Sequence, residues 1–133
     1  MKSIAGACVV VALAIASSSG QQQPRVTGFF TDMHSNPGSG DVAGTEVWIV
    51  YARGKFYATV QDAGGEPDPP VVLPVEVSGS RIKFTTQHAL VFGDGRPAPD
   101  LVLNYTGTVT RAGLAISLNG SDRTLKRGNS YWQ

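Results

Sequence analysis

Short runs of alternating apolar and polar residues, separated by breaks that contain glycine, most narrowly limit how this 133-residue chain can fold. From Arg25 onward, runs of four to nine residues rich in Val, Ile, Thr, Tyr and Phe recur, and none shows an apolar period near 3.6. The 16 glycines and 8 prolines fit this pattern, because both residues favour turns. The sequence therefore predicts an all-β chain with almost no helix.

The segment from Gly44 to Asp62 gives the clearest local prediction, an antiparallel hairpin. A two-residue loop at Arg53-Gly54 would place apolar residues opposite one another in three pairs, which are Tyr51 with Phe56, Ile49 with Ala58 and Val47 with Val60. A slip of one residue would scatter apolar groups onto both faces. The register therefore follows from the pattern, although arginine is unusual at the first position of such a turn.

Seven or eight strands follow one another with short links, which favour antiparallel neighbours. We expect an up-and-down meander that closes into a small barrel, since closure removes exposed edges. Asn119-Gly120 is a strong hairpin signal, whereas a loose segment separates Phe84 from Leu101. Pro74 interrupts an otherwise alternating strand and predicts an edge or a bulge, so a two-sheet β-sandwich remains the alternative.

Residues 1–20 have the three-part pattern of a secretory signal peptide. Lys2 supplies a positive start, Ile4 to Ile15 is apolar, and small residues follow it. This apolar run of about 12 residues is too short to span a bilayer. Residues 21–24 are predicted to be a polar tether and residues 25–133 a single domain, secreted or periplasmic. The only cysteine, Cys8, lies inside the leader, so the mature chain would have no disulfide.

Two positions carry a resemblance to a known architecture. Gly28-Phe29-Phe30 on the first strand and Lys126-Arg127 on the last resemble a reduced calycin pattern, found in lipocalin-like and avidin-like barrels. In those families a Gly-x-Trp on the opening strand packs under an arginine from the closing strand. The resemblance implies a barrel in which Phe30 takes the tryptophan position and Arg127 the arginine position.

Charge and residue inventory argue against several classes of function. The chain has 11 basic and 10 acidic residues, and loss of Lys2 with the leader would balance them, so there is no basic field for nucleic acid. Only two histidines, His34 and His88, are present, and no cysteine remains for a zinc site. We therefore expect no metal, no cofactor, no membrane span in the mature chain and no catalytic activity. A hydrolase would need one of these histidines beside a carboxylate in a cleft.

Aromatic residues on polar faces are the best candidates for a binding surface, namely Trp48, Tyr57, Tyr131 and Trp132. Trp132 could instead cover an open end of the barrel. The sequence thus predicts a secreted, non-enzymatic binding protein whose partner is a small apolar ligand if the barrel is hollow, or otherwise a glycan or a protein. The alternative is a structural component of an envelope or matrix, with a filled core.

Overall fold

A computed structural model describes residues 25–133, and both the predicted leader and the tether lie outside them. Within that range the chain forms nine strands, which are β1 (Gly28–Thr31), β2 (His34–Ser35), β3 (Val42–Ala52), β4 (Lys55–Gly65), β5 (Val71–Ser78), β6 (Arg81–Val91), β7 (Pro97–Val109), β8 (Gly113–Leu118) and β9 (Ser121–Gly128). Residues 25–133 contain no cysteine, and none belongs to a helix long and apolar enough to cross a membrane.

All strand pairs are antiparallel, and successive strands are neighbours from β3 to β9. β1 pairs with β9 on one side and with β3 on the other, which closes eight strands into a barrel. The short β2 pairs with β3 outside this circuit. The predicted meander and barrel are confirmed, and one continuous closed sheet replaces the two-sheet alternative.

The β3–β4 hairpin has the predicted register. The three apolar pairs form as expected, and Ala52 pairs with Lys55 across a two-residue loop. Arg53 and Gly54 have φ values of 51° and 78°, the left-handed conformation that a type I′ turn requires. The alternation of side chains was therefore sufficient to set the pairing, even with arginine in the loop.

Pro74 lies just beyond the point where the pairing between β5 and β6 ends. The β5–β6 ladder contains only three pairs and ends at Glu76 with Lys83. Successive residues of β5 direct their backbone N–H and C=O groups alternately toward β4 and β6, and the backbone of Pro74 faces β6. Because proline has no N–H, the hydrogen-bond ladder with β6 cannot continue at this residue. The same strand remains paired with β4, so the proline interrupts one side of β5 only.

The segment between Phe84 and Leu101, which has no clear alternation in the sequence, forms the far part of a long β6–β7 hairpin. Its strands pair with each other up to Val91 and Pro97, with an irregularity between His88 and Leu90. Many of its side chains are exposed on both faces of the hairpin. Apolar and polar residues therefore do not need to alternate along this segment as they do in a half-buried strand.

The barrel interior is filled by apolar side chains. All eight strands contribute to one core, formed by Phe30, Val47, Ile49, Ala58, Val60, Leu73, Val75, Ile82, Phe84, Tyr105, Val109, Leu114, Ile116 and Leu125. The rings of Phe84 and Tyr105 stack at 4.8 Å within it. Buried apolar surface of this kind is the main stabilising contribution in a chain without disulfides.

Candidate functional site

Phe30 and Arg127, the two residues suggested by the calycin resemblance, meet where β1 and β9 close the barrel. They are directly paired, and the guanidinium carbon lies 4.6 Å from the ring centroid of the buried Phe30. Arg127 also donates to the carbonyl oxygens of Thr27 and Arg25, at 3.1 and 2.5 Å. Gly28 has a φ of 142°, and a Cβ there would lie 2.9 Å from the guanidinium. Arg127 thus covers the Phe30 ring and anchors the backbone of Arg25 and Thr27, just before β1.

Trp48 projects from the outer side of β3 and stays half exposed. Its ring stacks on that of Phe29 in β1, with centroids 5.0 Å apart and planes within 5°. One face of the indole is therefore held by a neighbouring ring, while 43% of the residue remains open to solvent. Tyr57 also points outward, on the next strand, but it is half-buried between Val50 and Pro74.

The C-terminal residues fold back on this outer side. Glu46 is only 7% exposed, and its carboxylate accepts hydrogen bonds from the Ser130 hydroxyl and the Tyr131 backbone N–H, both at 2.7 Å. Because a buried carboxylate is costly without partners, these bonds fix the segment strongly. The terminus is therefore held against β3.

Trp132 lies against the outer wall and does not cover a barrel end. Its indole N–H donates to the side-chain oxygen of Gln61 at 2.8 Å, and the Gln61 amide donates in turn to the Asp68 carbonyl at 2.9 Å. Tyr131 packs edge-on against the same indole, with centroids 4.8 Å apart. The hydrogen bond uses the one polar atom of the indole, while half of Trp132 remains exposed.

Together these residues form what we call the aromatic wall, defined as Phe29, Trp48, Tyr131 and Trp132. Glu46 and Trp48 are successive outward residues on β3, and Gln61 pairs with Glu46 on β4, so the wall occupies one region of the barrel exterior. The structure brings three of the four predicted binding residues into this region. Tyr57 lies beyond it on β4, and Phe29 was not predicted as a binding residue.

A polar cluster inside one end of the barrel was missed by sequence reasoning. Arg123 lies between two carboxylates, 3.6 Å from Asp32 and 3.7 Å from Asp62. The Thr45 hydroxyl donates to Asp62 and accepts from Arg123, while the Thr45 N–H donates to Asp32 at 2.6 Å. Thr45 and Asp62 continue the inward alternation of Val47 and Val60, and this signal could have found them.

Tyr105 joins the cluster to the core. Its hydroxyl donates to Asp62 at 3.4 Å. Burial, followed by the negative charge of Asp62, raises the pKa of Tyr105 from 10.0 to about 12. Among residues 25–133 no buried side-chain polar atom lacks a hydrogen-bond partner. The buried polar groups of the cluster therefore have hydrogen-bond partners within the protein.

Within residues 25–133, neither histidine makes a hydrogen bond with a carboxylate of this cluster. His34 makes a hydrogen bond through Nδ1 with the backbone oxygen of Asp32, and His88 makes one through Nε2 with the Thr86 hydroxyl at 3.1 Å. Thr86 is only 2% exposed, so its hydroxyl is closed to a substrate in solvent. In the part of the chain that the structure describes, no three His, Cys, Asp or Glu side chains are grouped to hold a metal ion.

No known protein family, curated protein or solved structure matches the chain. Function must therefore be argued from the geometry of these sites.

Proposed function

We propose that this protein is a secreted, non-enzymatic glycan-binding domain that uses the aromatic wall to stack on neutral sugar rings. The observation that carries the proposal is that two tryptophans are each about half exposed and yet each is held in place, Trp48 by Phe29 and Trp132 by Gln61. The predicted leader supports delivery to a compartment where glycans are found.

Rigid exposed rings favour binding because little freedom is lost when a ligand arrives. Immobilising a flexible side chain at an interface costs about 0.5–1.5 kcal/mol, and here the carboxylate of Glu46 and the amide of Gln61 have already ordered the aromatic residues. A fixed indole face is a large, amphipathic contact surface. The wall is therefore organised in advance for a flat partner.

The chemistry around the rings suits a sugar better than an apolar ligand. The filled core supports a binding surface outside the barrel rather than a hollow interior. Outward residues beside the wall include the uncharged polar side chains of Thr31, Thr59 and Gln61, and one cation, Lys126, lies next to Thr31 on β9. Such groups can exchange hydrogen bonds with sugar hydroxyls while the rings pack against C–H faces. The partly exposed wall also offers no enclosed cleft for catalysis.

For the architecture, we propose a calycin-like barrel as the finer description. The pairing of Phe30 with Arg127 and the close approach of Gly28 to the guanidinium support it. Such an architecture does not by itself identify a ligand.

Affinity electrophoresis on neutral polysaccharides tests the proposed function. A panel of cellulose, chitin, xylan and β-1,3-glucan derivatives should contain at least one that retards the protein. Trp132→Ala should weaken that binding at least about tenfold, because a buried aromatic contact at the centre of an interface contributes roughly 2 kcal/mol. Trp48→Ala should have a similar effect.

Phe92→Ala is the matched control, since Phe92 is an aromatic residue with 49% exposure that lies outside the wall. It should leave retardation unchanged. Failure of every polysaccharide to bind, or equal losses in Phe92→Ala and Trp132→Ala, would contradict the proposed function.

A further inference from the structure

A second concave surface lies on strands different from those of the aromatic wall. It is a groove of about 830 Å³ on the outer side of the barrel, extending from β5 across β6, β7 and β8 to β9. This volume lies within the usual range of small-molecule sites, about 300–1,000 Å³. Strand register arranges its outward side chains in two rows that run across the sheet.

The first row contains a cation among hydroxyl groups. Arg81 is paired with Ser78 on β5 and with Thr108 on β7, and Thr124 ends the row on β9. No acidic residue belongs to this row. Within residues 25–133 the Arg81 guanidinium makes no ion pair, since the three ion pairs found there involve only Arg96 and Arg123. Its five N–H donors are therefore available for a planar anion.

The second row contains acids at both margins. Lys83 is paired with Glu76 on β5 and with Thr106 on β7, while Asp122 ends the row on β9. Neighbouring strands lie about 4.8 Å apart, so a chain of several negative charges across this groove would approach both acids. The charge pattern thus accepts one anionic group near Arg81 and disfavours a polyanion.

From this arrangement we infer that the groove binds an acidic sugar unit, a hydroxylated ring that carries a single carboxylate. The carboxylate accepts two parallel hydrogen bonds from the Arg81 guanidinium, a geometry in which arginine is superior to lysine. The hydroxyls of Thr106 and Thr108 donate to and accept from the ring hydroxyls. The site is separate from the aromatic wall and does not depend on the proposed function.

Titration of the ¹⁵N-labelled protein with three small probes tests the inference by NMR. Glucuronate supplies the ring and the carboxylate, glucose only the hydroxylated ring, and acetate only the carboxylate. We expect saturable shifts of the Arg81, Thr106 and Thr108 amides with glucuronate, and at least tenfold weaker binding of glucose and of acetate. Glucose or acetate binding as tightly as glucuronate would overturn the assignment of an acidic sugar.

Arg81→Gln should weaken glucuronate binding about tenfold or more, since the charge-assisted pair is lost. Arg96→Gln is the matched control, because it removes the same charge from an exposed arginine outside the groove and should change nothing. Trp132→Ala should also leave glucuronate binding intact even if it abolishes retardation by a neutral polysaccharide. Unchanged affinity in Arg81→Gln, with a native-like spectrum, would overturn the inference, as would loss of glucuronate binding in Trp132→Ala.

Discussion

Arg127 and Tyr105 are residues whose polar groups stabilise the barrel from within. Arg127 covers the Phe30 ring and also binds two backbone oxygens before β1, so one side chain fixes both the core and the start of the domain. Tyr105 places its ring in the core and its hydroxyl on Asp62. Each joins apolar packing to a satisfied polar group, which avoids the cost of an unpaired buried donor.

Tyr105 predicts a specific loss of stability in alkali. The folded pKa of about 12 exceeds the ordinary 10.0, so the neutral phenol stabilises the fold below pH 10 and this contribution is lost as pH rises from 10 to 12. Two pKa units correspond to roughly 2–3 kcal/mol. Tyr105→Phe should therefore lose less unfolding free energy than the parent protein between pH 8 and pH 11.5 in urea titrations. Parallel pH profiles for the two proteins would contradict the role given to the phenol.

Among the elements, the β3–β4 hairpin combines a strong pattern with an unfavourable turn residue. Eleven paired positions fix its register, and two of the three apolar pairs lie in the core, whereas Tyr51, close to the turn, is 59% exposed. Arg53 nevertheless has a φ of 51°, where the side chain of an L-residue is strained. Pairing along the two strands therefore imposes the turn conformation, even though arginine is an unfavourable residue for it.

Arg53→Asn should stabilise the protein by about 0.5–1 kcal/mol, because asparagine tolerates the left-handed conformation better than arginine. Chemical denaturation at neutral pH would measure the gain. Arg111→Asn is the control, since Arg111 is exposed in a turn and has no positive φ, so its replacement should change stability little. A lower free energy of unfolding in Arg53→Asn would show that the turn is not under strain.

At the scale of the whole molecule, the fold could be predicted to a greater extent than the sites. Alternation in Val47, Ile49, Ala58 and Val60 fixed a hairpin register, and short links indicated a meander, because both depend on neighbours in the sequence. The filled interior follows from the same alternation repeated around eight strands.

Local alternation indicates that Thr45 and Asp62 point inward, but it does not encode which distant residues they meet. Ser130 reaches Glu46 across 84 positions of the chain, and Arg123 reaches Thr45 across 78. Their meeting requires closure of the barrel and the return of the terminus along its outer wall. The groove likewise depends on the curvature of five strands, which the sequence pattern does not specify.

The proposed function places neutral glycans on the outside of the closed barrel, at the two tryptophans, the only two in the chain. NMR of the protein with a neutral oligosaccharide derived from whichever polysaccharide retards it tests this claim most directly. We predict that both indole N–H signals shift, while the methyl signals of Leu114, Ile116 and Leu125, which lie in the core, stay in place. Shifts of these methyl signals with unchanged indole signals would place the ligand inside the barrel and contradict the account.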